Sequence, residues 1–347
     1  MASSSPVSRP QADSVLPKAG IRSIELICAN TIVHSVPVHG VIAKPSADGI
    51  GPAACFVGIW LTAKSRRKSE NTLDHGRRAV GSHWCLQDLN FAGIDIARTR
   101  ERDDIFALVC SASLIESGSD LYTRNLVRYF GKDAEVCDWL QDHWEPEELQ
   151  HGQALKAYVQ HVWPEFDWNS AYGDFLKQYS KLCTAENLEP TRGQELAARC
   201  VVEMGTTTYY QALNSVCDEP VLRGLAWRIR NDELQHYGHF YRYFLKYQSQ
   251  EPVSRSLVVA ALWRRLAELR QSDTEIALRC AADSRFGERK APPSFDAIRK
   301  QAFGLVRVQY PIKLAMRMTL KPLQLNPSFQ RWAERPIAAI VSRVMLR

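Results

Sequence analysis

Trp144–Leu155 reads WEPEELQHGQAL and Ile229–His236 reads IRNDELQH, and each stretch holds a Glu-x-x-His pair, Glu148 with His151 and Glu233 with His236. Residues three apart on an α-helix share a face about one turn from each other, so each pair aims a carboxylate and an imidazole at a common point. The two pairs lie 85 residues apart. With 20 Glu and 9 His in 347 positions, chance supplies about half of one such match. A single copy therefore carries little. Two copies, each inside a long helical pattern, decide the fold.

Working outward, four helical stretches emerge. In the first, Ile105, Leu108, Val109, Ala112, Ile115 and Leu126 recur at helical spacing. Asp103 and Asp104 favour its start, and Gly131 is a plausible cap after Phe130. The second runs from about Ala134 to Val162 and ends before Pro164, while Pro146 predicts a kink or restart directly before Glu147. A connecting segment, 165–190, is expected to hold one shorter helix. The third stretch spans about Arg192–Val216 and the fourth Pro220–Tyr247; the short break at Cys217–Glu219 fits antiparallel neighbours. The expected class is all-α, a four-helix bundle over 101–250. Residues 1–100 read as a weakly structured or peripheral segment. Residues 251–347 read as a basic helical extension, with helices at Ser254–Arg270 and Phe303–Thr319 separated by Pro292–Pro293.

Each of the four stretches offers one Glu among apolar or small neighbours: Glu116, Glu148 with His151, Glu203, and Glu233 with His236. An unpaired buried carboxylate costs several kcal/mol, so four converging in one core would oppose folding. Two divalent metals remove that opposition, because four carboxylates balance their charge and two neutral imidazoles complete the coordination. This order of ligands is that of a di-iron or di-manganese carboxylate site inside a helical bundle. Plainer readings exist for each residue. Glu116 could be an exposed helix residue, Glu203 an ion-paired core carboxylate, and each Glu-x-x-His a solvated pair.

The same stretches resemble a known family. WEPEELQHGQAL is similar to the W-x-x-E-E-x-x-H-G-x-x-L stretch of the soluble acyl-acyl-carrier-protein desaturases, members of the ferritin-like superfamily, and IRNDELQH is similar to their I-x-x-D-E-x-x-H. Glu203-x-x-Thr206 matches the family's E-x-x-T, and Tyr122 follows Glu116 by six residues as a tyrosine does in the family. The resemblance covers roughly 100–250. It implies a ferritin-like four-helix bundle with extra peripheral helices, binding two iron ions, with manganese as the other candidate. Glu148 and Glu233 would bridge the metals, Glu116 and Glu203 would chelate one each, and His151 and His236 would complete the two sites. Thr206 would lie beside the oxygen-binding face. Asp232 is a candidate acceptor for an imidazole N–H, with a surface Asp as the alternative, and Thr206 could equally bond back into its own helix. Tyr122, Tyr209 and Tyr210 could line a substrate tunnel or be plain core. The implied activity is oxidation or desaturation of a fatty acyl chain by activated oxygen. Such chemistry needs two external electrons. The sequence shows no flavin, nicotinamide or iron–sulfur motif, so a separate ferredoxin-type reductant is implied. An N-oxygenase or an aldehyde-deformylating oxygenase would use a similar ligand set. Iron handling, peroxide scavenging and a metal-free interaction bundle are the readings from other classes.

Composition sets the remaining bounds. A chain that is 45% hydrophobic and 24% charged has a soluble globular make-up. Of its nine cysteines no two are closer than 17 residues. That excludes a Cys-x-x-Cys zinc or rubredoxin-like iron site and favours a reducing, cytoplasmic setting. The most apolar run, Gly49–Ala63, is too short to span a bilayer. The start, MASSSPVSRPQ, reads as a polar terminus, with a transit peptide as the alternative. Net charge is +5 over residues 1–100, −9 over 101–250 and +10 over 251–347. The last value suggests a basic face, including Arg264, Arg265, Lys313 and Arg317, that steers an acidic acyl carrier protein toward the bundle. Peripheral contact with anionic lipid is the alternative partner. No nucleic-acid partner is expected, and a homodimer is left open.

Overall fold

The computed structural model describes residues 84–268, 273–287, 289–326, 328 and 338. The expectation for 1–100 lies outside the described residues for all but its last 17. Among the described residues the fold is all-α, with no strand. Twelve α-helices follow in order: α1 (Ile96–Arg100), α2 (Asp103–Glu116), α3 (Ser119–Phe130), α4 (Ala134–Trp139), α5 (Glu145–Val162), α6 (Trp168–Leu182), α7 (Arg192–Val216), α8 (Pro220–Gln250), α9 (Arg255–Glu268), α10 (Asp273–Phe286), α11 (Phe295–Val308) and α12 (Ile312–Leu320).

Helix starts follow the local chemistry. Asp167 caps α6 by accepting from Ser170 N at 3.0 Å, and Thr191 Oγ1 caps α7 from Gln194 N at 3.2 Å. Glu219 caps α8 by accepting from Val221 N and Leu222 N at 3.0 and 2.7 Å, with Pro220 in the first turn where no N–H is needed.

Helix α7 is the centre of the molecule. Every residue from Gly193 to Tyr210 is buried. Helix α8 packs along it, α9, α11 and α12 cover its other sides, and α2 packs on α5 with α10 and α11 outside. The segment Asp103–Phe130 is apolar enough to cross a membrane by length and composition, and 78% of its apolar window is buried inside the protein.

Three helix expectations need correction. The first stretch is two helices, because the chain breaks at Ser117–Gly118. The freed Ser117 carbonyl accepts from Tyr172 Oη at 2.5 Å instead of from its own helix. The break also lets α5 come close. A side chain on Gly152 would sit 2.7 Å from Ser117 N and 2.9 Å from Ser117 Cα, so only glycine fits there. In the second stretch, Pro146 does not simply kink the helix. The preceding turn, Leu140–Trp144, widens to π geometry, and Pro146 falls in the first turn of α5. A wider turn releases the carbonyl that the proline ring would otherwise meet. Finally, the expected helix Phe303–Thr319 is divided between α11 and α12, because Pro311 disfavours helix at Tyr310.

The basic face also changes. Arg265 is 1% exposed and pairs inside with Glu268 at 3.0 Å, and Arg264 pairs with Glu189. Lys313 and Arg317 are exposed.

The apolar interior forms two clusters. One gathers Ile105–Leu114 of α2, Ala154–Val162 of α5, Tyr209–Leu213 of α7 and Leu222–Ile229 of α8. The other gathers Tyr122–Phe130 of α3, Trp139–Trp144, Leu196–Met204 of α7 and Tyr237–Tyr247 of α8. The α2–α3 segment and α8 run from the first cluster to the second, while α5 and α7 run the opposite way. Helix α6 lies between α5 and α7 in sequence and lets two successive helices point in the same direction.

Candidate metal centre

Each of the four long helical segments changes apolar cluster at one polar level. Glu116 lies at that level between α2 and α3, Glu148 and His151 on α5, Glu203 and Thr206 on α7, and Glu233 and His236 on α8. The structure brings all six expected ligand residues together there, none more than 6% exposed.

The imidazoles face the carboxylates through Nδ1. His151 Nδ1 is 3.2 Å from Glu233 Oε1 and 3.8 Å from Glu148 Oε2. His236 Nδ1 is 3.3 Å from Glu148 Oε1 and 3.7 Å from Glu203 Oε2. The donors form two sets of four, Glu116, Glu148, His151 and Glu233, then Glu148, Glu203, Glu233 and His236. In each set the donor atoms lie within 4.8 Å of one another, and Glu148 and Glu233 belong to both.

The opposite ring nitrogens are held crosswise. His151 Nε2 lies 3.1 Å from Asp232 Oδ2 of α8, and His236 Nε2 lies 2.7 Å from Glu147 Oε2 of α5. Trp84 Nε1 donates to Asp232 Oδ2 at 2.7 Å, its ring stacks on His151, and Gln150 Nε2 donates to the Trp84 carbonyl at 2.9 Å. With Nε2–H given to a carboxylate, the tautomer that leaves Nδ1 as a lone-pair donor is favoured. Thr206 Oγ1 lies 2.6 Å from Glu233 Oε2, where it donates, and 3.2 Å from the Glu203 carbonyl, so it is a partner of the cluster as well as of its own helix.

Of the three tyrosines considered for a tunnel, Tyr210 donates to Glu116 Oε1 and Tyr209 to the Leu108 carbonyl at 3.0 Å. Tyr122 lines a cavity of about 50 Å³ beside the cluster, together with Trp144, Tyr179, Arg199 and Glu203.

The titration pattern shows what the protein does with this charge on its own. Burial, then the Glu148 and Glu233 charges, raises the Glu116 carboxyl well above its ordinary range. Burial and the same two neighbours raise Glu203. Burial also pushes at Glu148 and Glu233, but the two imidazoles outweigh it and hold both carboxyls low. Burial opposes charge on His151 and His236 as well, yet hydrogen bonds to Asp232 or Glu147 and to the cluster carboxylates raise both well above the usual histidine value. Protons therefore stand where cations would otherwise balance the carboxylates.

Among the described residues several buried atoms make no well-aligned hydrogen bond and face only one another and Glu148: His151 Nδ1, His236 Nδ1, both oxygens of Glu203 and Oε1 of Glu233. Orphaned buried acceptors are costly. Their mixed N/O character and their convergence suit a borderline divalent transition metal. The buried Glu/His groups can hold a metal ion.

Sequence reasoning missed three participants. Glu147 was legible, because Glu147–Glu148 on α5 mirrors Asp232–Glu233 on α8. Arg199 stands four residues before Glu203 and so on its face of α7. Trp84 lies 148 residues from its partner Asp232, and no local pattern announces it.

No protein-family model matches this chain, and a search of the curated proteins gave no match.

Proposed function

We propose that this protein is an oxygen-activating oxidase with a dinuclear metal centre, iron by preference. The observation that carries the reading is the pair of four-donor sets sharing Glu148 and Glu233, with orphaned Nδ1 and carboxylate atoms turned inward. The like direction of α5 and α7, with α6 as the crossover between them and α2–α3 and α8 running the opposite way, supports a ferritin-like bundle as its frame. Bound iron would supply electron storage and reaction with dioxygen.

The chain's own residues do the rest. Glu148 and Glu233, common to both donor sets, would hold both ions, Glu116 and Glu203 would each serve one, and His151 and His236 would offer Nδ1. Asp232 and Glu147 fix the two rings. Thr206 keeps a proton at Oγ1 against Glu233 Oε2, on the side that faces the cavity. The two apolar clusters exclude water and strengthen every charge interaction between them. The cavity beside Glu116 and Glu203 is where the bond to be oxidised would lie, and the desaturase resemblance points to an acyl chain as the substrate. A separate ferredoxin-type protein would deliver the electrons.

Anaerobic reconstitution with Fe(II) should give about two metal ions per chain. Glu148→Ala or Glu233→Ala should remove most of the metal, since each deletes a residue common to both sets. The loaded wild type should then consume oxygen when a ferredoxin reducing system is supplied. Metal content near zero, or metal content that survives both substitutions, would overturn the reading.

A further inference from the structure

We propose that the outer face of α9 and α12 docks on an anionic lipid surface, with a basic line on α12 meeting the headgroup phosphates and Trp263 of α9 set among the headgroups. The proposal goes beyond the metal centre and does not depend on it. No Asp or Glu occurs from Ala297 to Ala333. Within this stretch Lys313, Arg317 and Lys321 stand four residues apart and are exposed. Lys321 follows the last residue of α12 and keeps helical dihedrals (φ −60°, ψ −41°), so it continues the line. The three charges are thus spread over about 12 Å of one helix flank. Arg264 and Arg265 are paired with Glu189 and Glu268. Lys313 and Arg317 have no such partner among the described residues, and Lys321 lies 4.4 Å from the centroid of the Tyr241 ring.

Helix α9 adds the apolar part. Three of the seven exposed large apolar side chains among the described residues stand on it, Leu257, Val259 and Trp263, and Trp263 is 70% exposed. Arg255, Val259 and Trp263 are again four apart and share a line. Arg255 Nη2 donates to the Gln324 carbonyl at 3.3 Å, directly after the 3₁₀ turn Lys321–Leu323 that follows α12. That line of α9 therefore borders the basic line. On the inner side, Val258 and Leu262 of α9 and Ala315 and Met318 of α12 bury into one apolar cluster against α7. This packing leaves Val259, Trp263, Lys313 and Arg317 outside.

The two components together select the partner. Basic side chains with no acid beside them attract anions, and the apolar side chains next to them gain by leaving water. An anionic bilayer offers phosphate charge and an apolar layer at one surface, and tryptophan favours that boundary. An acidic protein would answer the charge alone. Tryptophans that anchor protein partners sit in well-packed pockets at the centre of an interface, whereas Trp263 projects from a helix flank with most of its area in water. The contact is peripheral, because the apolar window within Asp103–Phe130 lies mostly inside the protein.

The test is vesicle sedimentation of the full chain with phosphatidylcholine alone or mixed with phosphatidylglycerol, at low and at physiological ionic strength. The protein should bind the phosphatidylglycerol vesicles, ignore phosphatidylcholine alone, and bind less as salt rises. The triple variant Lys313→Gln/Arg317→Gln/Lys321→Gln should bind about 100-fold more weakly, since each basic group at an anionic surface contributes about five-fold. Trp263→Ser should weaken binding by about 10-fold and leave its salt dependence unchanged. Trp227→Ser, which removes another exposed tryptophan from the start of α8, should change nothing. All of these side chains face water, so the fold should survive each substitution, and the wild-type comparison of the two vesicles stands without any variant. No binding to phosphatidylglycerol vesicles at low salt, equal binding to both vesicles, or binding indifferent to the triple and Trp263 substitutions would each overturn the proposal. So would an acidic ferredoxin that binds through the three basic residues while the vesicles do not, since the face would then be a protein dock. Binding is read on the metal-free chain, so its failure leaves the metal reading untouched, and a failure to bind metal leaves this proposal untouched.

Discussion

Metal uptake should expel about four protons per pair of divalent ions, because protons balance the cluster until metal arrives. In the metal-free protein Glu116 and Glu203 are raised well above the carboxylate range and His151 and His236 well above the histidine range, so all four hold protons at mildly acidic pH. Glu148 and Glu233 are held low and stay ionised. Two carboxylates and two imidazolium groups sum to zero charge. Binding two M²⁺ through six ligands requires four carboxylates and two neutral imidazoles, again zero, and the difference is four protons. Apparent affinity for the pair should then rise by about four powers of ten per pH unit, roughly 5–6 kcal/mol, while all four groups remain protonated. Slope should diminish as pH approaches the raised values. The assay is anaerobic titration with Fe(II) or Co(II) at pH 6 in a weakly buffered indicator solution, cross-checked by calorimetry in two buffers of different ionisation enthalpy. Glu116→Gln and Glu203→Gln should each lower the release by about one. Release of one proton or fewer per pair, or release that ignores both substitutions, would refute the charge reasoning.

Three further outcomes follow from the same geometry. Thermal stability of the metal-free protein should fall as pH rises from the ordinary carboxylate range through the raised values of Glu116, Glu203, His151 and His236, since the folded state binds more protons there than the unfolded one. It should also fall below about pH 4.5 as Glu148 and Glu233 are forced to protonate, whereas the metal-loaded protein should lose stability steadily on acidification; melting curves of both forms between pH 4 and 9 check this. Asp232→Asn and Glu147→Gln should each cost about 10- to 100-fold in metal affinity with little change in melting temperature, measured by competition with a chelating dye. Gly152→Ala adds helix propensity worth about 1 kcal/mol, yet its Cβ would meet the Ser117 backbone at 2.7 and 2.9 Å. Overpacking of about 1–3 kcal/mol should win, so the melting temperature should drop and metal content should fall as Glu116 is pushed away; a rise in stability would contradict the close approach of α2 and α5.

Helix identity was legible because periodic apolar residues and capping side chains act locally. Asp103 and Asp104 stand in the first turn of α2 and Gly131 follows Phe130 at the end of α3, as the sequence predicts. The convergence of the four Glu and two His residues was legible for another reason. A Glu in a run such as Ala197–Met204 has no solvent to turn to, so its partners must be inside. What stayed hidden depends on distance in sequence or on small local choices. Ser117–Gly118 could continue a helix or break it, and only the close approach of Gly152 decides for the break. Arg265 looks like one basic side chain among many until α9 is laid against α7, where Glu195 and Glu268 enclose it. Trp84 belongs to the site only because the chain before α1 returns to the Asp232 face of α8.

The crosswise arrangement of outer acceptors has a mechanical consequence. Glu147 and Glu148 are neighbours on α5, yet one orients His236 of α8 while the other joins the shared donor set; Asp232 and Glu233 do the same from α8 toward His151. Each helix therefore positions the imidazole of the other. Sliding α5 against α8 by a single residue, about 1.5 Å along the axis and a rotation of about 100°, would break both orienting contacts together and turn both Nδ1 atoms away from the carboxylates. Register between these helices is thus held by the site itself, although few backbone positions of α5 and α8 come close. The apolar clusters above and below are tolerant of such shifts, since hydrophobic contact is non-directional. A polar layer with paired, directional contacts is not, and it fixes the one alignment in which six side chains from four segments share two points.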